Sequence, residues 1–127
     1  MENKYYLTDE QMDSFLEEIG GLENGFSSDR PKIKKAGFFA IGNGWLGLVK
    51  ELIGKAIEAG WDKQICQVKE KFGGLRFYIN SAPDEVHALI REAENTSFEI
   101  CEVCGNQGEP RKGGWIKTLC EEHHKNK

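Results

Sequence analysis

The pattern Cys101-x2-Cys104-x15-Cys120-x2-His123 constrains this chain more than any other feature. Two cysteines two residues apart bring both sulfurs of a tight knuckle to one ion, and Gly105 lets the backbone turn behind the second. Cys120 and His123 repeat the spacing, and Trp115–Leu119 ahead of them alternates like a strand. Asn106-Gln107-Gly108 and Lys112-Gly113-Gly114 supply turns between the pairs. The expectation is a structural zinc ion in a small ribbon-like module, held by Cys101, Cys104, Cys120 and a histidine. His124 is the alternative fourth ligand, and the repeated spacing favours His123.

Three thiolates and an imidazole close a tetrahedral shell, whereas a catalytic zinc keeps a position open beside an acid–base group. Glu121 and Glu122 are expected at the surface. A redox CxxC belongs at a helix N-terminus in a βαβ context, which is not visible here, and the His-x-Glu with Pro-Cys-x-x-Cys signature of zinc deaminases is missing. The module is therefore expected to be non-catalytic. Cys66 lies in a strand pattern away from the others and is expected as a small buried hydrophobe.

Upstream, periodicity predicts an α+β domain over residues 1–99, with the metal module over 100–127. Thr8-Asp9-Glu10-Gln11 opens like a capping box, and Met12, Phe15, Leu16 and Ile19 recur at helical spacing until Gly20-Gly21. Residues 22–42 are expected as a loop that ends in an extended Phe38–Ile41 segment. Asn43 is expected to cap a second helix whose apolar face runs from Trp45 to Ile57 and which stops at Gly60. Residues 65–79 alternate as a β-hairpin around Phe72-Gly73-Gly74. Ser81 is expected to cap a third helix over 83–97, with Pro83 in its first turn and Val86, Leu89, Ile90 and Ala93 buried.

The chain has 127 residues, 39% apolar and 30% charged, a composition that folds around a core of its own. No run approaches the ~20 apolar residues of a bilayer crossing, and the N-terminus lacks the order of a signal peptide, so a cytoplasmic protein with no membrane partner is expected. The net charge of −4 is unevenly spread: residues 1–29 carry eight acids and one base, while residues 30–76 carry ten bases and four acids. Such a layout fits internal charge pairing better than a duplex-binding footprint.

The stretch from Gln67 to Tyr78, with Lys71-Phe72-Gly73-Gly74-Leu75-Arg76-Phe77-Tyr78 at its heart, and the ending with Cys101–Gly105 and Gly114–His123 resemble a group of small uncharacterised bacterial and phage proteins. The resemblance spans residues 43–124 and implies kinship, with an accessory or anti-defence role as its functional expectation. A looser likeness to the DksA/TraR transcription regulators rests on the zinc knuckle alone.

Two partners are weighed. The first is another protein, met through the hairpin edge or by Lys69, Lys71, Arg76 and Tyr78, since Tyr and Arg make good interface anchors. The alternative is single-stranded nucleic acid, met by Arg30, Lys32, Lys34 and Lys35, with Lys69, Lys71, Arg76, Arg111 and Lys112 as further cations and Phe72, Phe77 and Tyr78 as stacking surfaces.

Overall fold

A computed structural model describes residues 4–125. Helix α1 (Asp9–Glu18) opens on the expected capping box: Gln11 N–H donates to Thr8 Oγ1 at 3.1 Å and Thr8 N–H donates to Gln11 Oε1 at 2.9 Å. Its fully buried residues are Met12 and Leu16. Gly20 and Gly21 end it at φ 79° and 80°, and Gly21 N–H returns to Leu16 O at 2.7 Å, as a C-terminal cap requires.

The segment read from sequence as loop contains β1 (Glu23–Asn24), which lies parallel to the start of β2 (Gln64–Lys71) in the register Glu23↔Gln64. Two residues carry no periodicity, so this strand leaves no signal in the sequence. Of the segment expected as extended, 38–41, Phe38 ends a 3₁₀ turn over Ala36–Phe38, while Phe39 is extended and Ala40 forms an isolated parallel bridge with Lys69.

Helix α2 (Leu46–Glu58) buries Leu46, Leu48, Val49, Leu52, Ile53 and Ala56. Asn43 does not cap it: a 3₁₀ turn over Asn43–Trp45 precedes the helix, and no side chain bonds its first turn. Acceptors from elsewhere in the chain replace the cap. Gly44 N–H donates to Glu102 O at 2.8 Å and Gly47 N–H to Tyr5 O at 2.6 Å, satisfying amides that a helix start leaves free.

β2 pairs antiparallel with β3 (Gly74–Ile79) in the register Val68↔Phe77 and Lys69↔Arg76. A register shift between Ile65 and Gln67 makes Cys66 the extra residue of a bulge. Ile65 and Val68 both reach the core, while Cys66 is half-buried and its Sγ sits 3.4 Å from Asn80 Oδ1, so the expectation of a buried hydrophobe at Cys66 is corrected. Phe72 (φ 55°) and Gly73 (φ 83°) turn the hairpin with two positive φ angles, as type I′ turns do. For phenylalanine that conformation costs roughly 1–2 kcal/mol.

Helix α3 (Asp84–Ser97) starts one residue after Pro83, which occupies the cap position; Ser81 lies further upstream and makes no cap bond. Asp84 and Glu85 in the first turn favour the helix dipole instead. Val86, Ile90, Ala93 and Ser97 are buried, and Leu89 only partly so. This stripe reaches the free edge of β3: Leu75 N–H donates to Ser97 Oγ at 2.9 Å and Phe77 N–H to Glu94 Oε2 at 3.0 Å. Beyond α3 lie β4 (Glu109–Arg111), β5 (Lys117–Leu119) and the single-turn α4 (Glu121–Lys125).

The architecture is α+β, with helices against a three-stranded sheet in the order β1-β2-β3 and a separate β4–β5 pair beside the Cys/His cluster. Trp45 is fully buried in a core that includes Trp61 stacked at a tilt on Phe77, ring centroids 5.9 Å apart. No helix among the described residues is long and apolar enough to cross a membrane.

Ser97→Ala removes the acceptor of a buried strand-edge amide. It is expected to lower unfolding free energy by about 1–3 kcal/mol in a denaturant titration, the cost of an orphaned buried donor.

Candidate metal centre

Ile100 leads from α3 into the knuckle, where Gly105 N–H donates to Cys101 O at 2.9 Å and Cys101 N–H to Asn106 O at 2.7 Å. Gly105 adopts φ 80°, the left-handed turn that glycine favours. β4 and β5 then pair antiparallel in the register Glu109↔Leu119 and Arg111↔Lys117, returning the chain so that Cys120 faces the knuckle. α4 begins at the next residue and swings His123 back over Cys120; His124 is exposed.

The ligand atoms of Cys101, Cys104, Cys120 and His123 all lie within 4.8 Å of one another. Cys104 Sγ and Cys120 Sγ are 3.7 Å apart and Cys101 Sγ lies 3.5 Å from His123 Nδ1. A tetrahedral ion with metal–sulfur bonds near 2.3 Å and metal–nitrogen bonds near 2.0 Å would set edges of about 3.8 and 3.5 Å. Cys120 Sγ and His123 Nδ1 are tighter, at 3.1 Å. The cluster can therefore hold a metal ion, with His123 presenting Nδ1.

The protons of these thiols must leave for an ion to bind. Burial pushes the Cys101 thiol up, but backbone amides of Cys120, Cys104 and Val103 outweigh it and hold the thiol below its usual value. Cys104 is pushed up to about 11, first by burial and then by the neighbouring Cys101 and Cys120 thiols. The two thiols are thus held on opposite sides of the ordinary value, Cys101 below it and Cys104 above it.

Around the ligands lies a shell that the sequence did not reveal. Glu102, between the first two cysteines, is 6% exposed. Its Oε2 accepts from Gly42 N–H at 3.2 Å and its Oε1 from Lys117 Nζ at 3.4 Å. Lys117 also reaches Glu70 Oε1 at 3.9 Å, and Thr118 Oγ1 donates to Gly73 O at 2.6 Å, tying β5 to the hairpin tip. Trp45 Nε1–H donates to Ile100 O at 2.8 Å. A side chain on Gly44 would collide with Cys101 O and the Gly105 amide, which explains glycine at that position. Glu102 resembles Glu121 and Glu122 in the sequence; the closely spaced Gly42 and Gly44 were the available sign that another backbone comes close.

The other residues singled out from the sequence divide by charge pairing. Lys32, Lys34 and Lys35 pair with Glu23 at 2.9 Å, Glu17 at 3.6 Å and Asp13 at 3.8 Å, so the basic middle meets the acidic N-terminal region. Arg30 is exposed in the preceding loop. Arg111 pairs with Glu109 and Glu121 at 3.6 and 3.4 Å. Lys69 and Arg76 are cross-strand partners on the hairpin face opposite Val68 and Phe77; Lys71 and Tyr78 share that face and are exposed. Phe77, expected as a stacking surface, is 3% exposed and belongs to the core. The hairpin edge considered for a partner is occupied internally by Ser97 and Glu94.

Two measurements probe the cluster. His123→Ala is expected to abolish stoichiometric metal retention while His124→Ala keeps it, as read by metal analysis after gel filtration. Each thiol binds metal as the thiolate, so protons compete and affinity falls with pH; a chromophoric indicator should record release as pH drops from about 8 to about 5, never the reverse. No family model, curated protein or solved structure matches the chain, so its side-chain chemistry carries the functional reading.

Proposed function

We propose that the chain is a non-catalytic zinc protein in which the ion fixes a ribbon against the α+β body and the joined surface serves as a regulatory interaction module. The observation that carries this reading is the closed donor set: three cysteine sulfurs and one imidazole nitrogen, all mutually within 4.8 Å, with two of the cysteines buried. Such a set matches structural zinc in number and softness, and four protein donors leave no coordination position for substrate. Glu102, next to Cys101 in sequence, is engaged with Lys117 and Gly42, and Glu121, next to Cys120, pairs with Arg111.

Zinc supplies what a segment of this size lacks. The buried residues clustered around the site are Cys101, Leu119 and Cys120, too few for an independent core. Structural zinc contributes on the order of 10 kcal/mol in small finger peptides, enough to order the ribbon. An accessory factor that binds and redirects a host component is the role we assign to such a module, in line with the expectation drawn from the sequence resemblance.

Metal analysis of purified protein is expected to find a single zinc per chain, and cobalt substitution to give the thiolate-to-cobalt absorption of a tetrahedral thiolate site. Chelation should raise amide exchange across residues 100–124 and the Gly42–Gly44 turn while α2 and the β2–β3 hairpin stay protected. Zinc-free protein with an unchanged exchange pattern would refute the reading.

A further inference from the structure

The largest exposed aromatics beside the ribbon stand together, and folding does not account for them. Phe72 is 66% exposed at the hairpin tip and Trp115 70% exposed ahead of β5. Both line one cleft of about 420 Å³, with Lys71, Gly114, Ile116 and Glu70 completing its walls. Phe72 holds the left-handed conformation at φ 55°, where glycine or asparagine would be less strained. An aromatic ring there is kept in water at a conformational cost.

The cleft has a one-sided charge. Glu70 is its only acid, and that carboxylate is 13% exposed, paired with Lys117 and accepting from Gly73 N–H at 2.7 Å. Lys71 on the wall, Lys112 ahead of Gly114, and the cross-strand neighbours Lys69 and Arg76 form no ion pair among the described residues. Lys32, Lys34, Lys35, Lys55, Arg111 and Lys117 are all matched by acids. Lys71 in the cleft wall, Lys69 and Arg76 on the same hairpin face, and Lys112 in the loop before Trp115 thus stand without acid partners on the elements that carry the exposed rings.

We infer that this cleft is a binding site for single-stranded nucleic acid, with bases stacking on Phe72 and Trp115 and phosphates running past Lys71, Lys69, Arg76 and Lys112. Exposed aromatic faces alternating with free cations are what an unpaired strand needs: the rings accept any base and the cations displace its counterions. Tyr78, 42% exposed on the same hairpin face, offers a further platform. A peptide would more readily add as a strand, but the outer edge of β3 is already satisfied by Ser97 and Glu94. The walls are held in place by the Thr118–Gly73 bond and the Lys117 bridge, so the inference rests on the zinc-ordered ribbon proposed above.

Zinc-loaded full chain titrated with a short oligothymidylate should show quenching of tryptophan fluorescence, with an affinity that falls as salt rises. Trp115→Ala and Phe72→Asn are expected to weaken binding roughly five- to a hundredfold, the worth of one stacked base. Asparagine tolerates the turn conformation and Trp115 is mostly exposed, so circular dichroism should show both variants folded. Lys71→Gln and Lys112→Gln should each lower the salt slope by about one. Lys32→Gln and Lys35→Gln should leave affinity unchanged. No binding at about 100 μM protein, well above the expected range, would overturn the inference. So would wild-type affinity in both aromatic variants, or tighter binding of a duplex or of a polyglutamate peptide. Zinc content measured on the same samples separates the two readings: zinc-loaded protein that ignores the oligonucleotide refutes this site alone, and zinc-free protein that binds it refutes the ordering role of the metal.

Discussion

Two stretches of backbone in close approach set the position of everything after α3. The turn over Gly42–Gly44 packs directly on the Cys101–Gly105 knuckle, and at this contact a main-chain carbonyl and a buried carboxylate of Glu102 receive the amides at the start of α2. Neither partner is complete without the other. The helix lacks a side-chain cap of its own, and the knuckle has few apolar residues with which to dock. Trp45 seals the contact from inside, bonding Ile100 O while its ring fills the core. The Cys/His cluster is thus attached to the first layer of the core and does not hang from a linker.

Fixing the knuckle fixes the ribbon, and the ribbon in turn completes the hairpin tip. Lys117 lies between Glu70 and Glu102, so one cation neutralises acids from two elements distant in sequence. With those acids consumed, the basic residues on the outer hairpin face face no internal competitor. In the 32–35 segment the same logic runs to neutrality, where its three lysines meet acids of α1 and β1. Net charge conceals this division, since a chain that is acidic overall leaves Lys69, Lys71 and Arg76 on the outer hairpin face without acid partners among the described residues.

The elements legible in the sequence are those whose residues repeat. The capping box of α1, the apolar stripe of α2, the alternation of β3 and the paired Cys-x2-Cys and Cys-x2-His spacings each carry redundant signals. Asn43 and Ser81 had the right chemistry for caps, yet acceptors from a distant loop and a proline took those roles, and local sequence cannot report a competitor sixty residues away. The bulge at Cys66 broke an alternation that reads as regular, because one inserted residue changes the facing of its neighbours without altering composition. Glu102 was the least visible. A carboxylate between metal ligands looks like any surface acid until the lysine and amides that surround it are in place.

A small protein that displays bare aromatic rings next to a β-hairpin invites self-association, since an open strand edge can template the next molecule. Here the exposed edge of β3 is closed by two side chains of α3, Ser97 and Glu94, which take the amides another chain would need. Those two bonds make it safe to leave Phe72 and Trp115 in water. The sealed edge lets aromatic rings stand in water without offering a second copy the strand edge it would need to pair with.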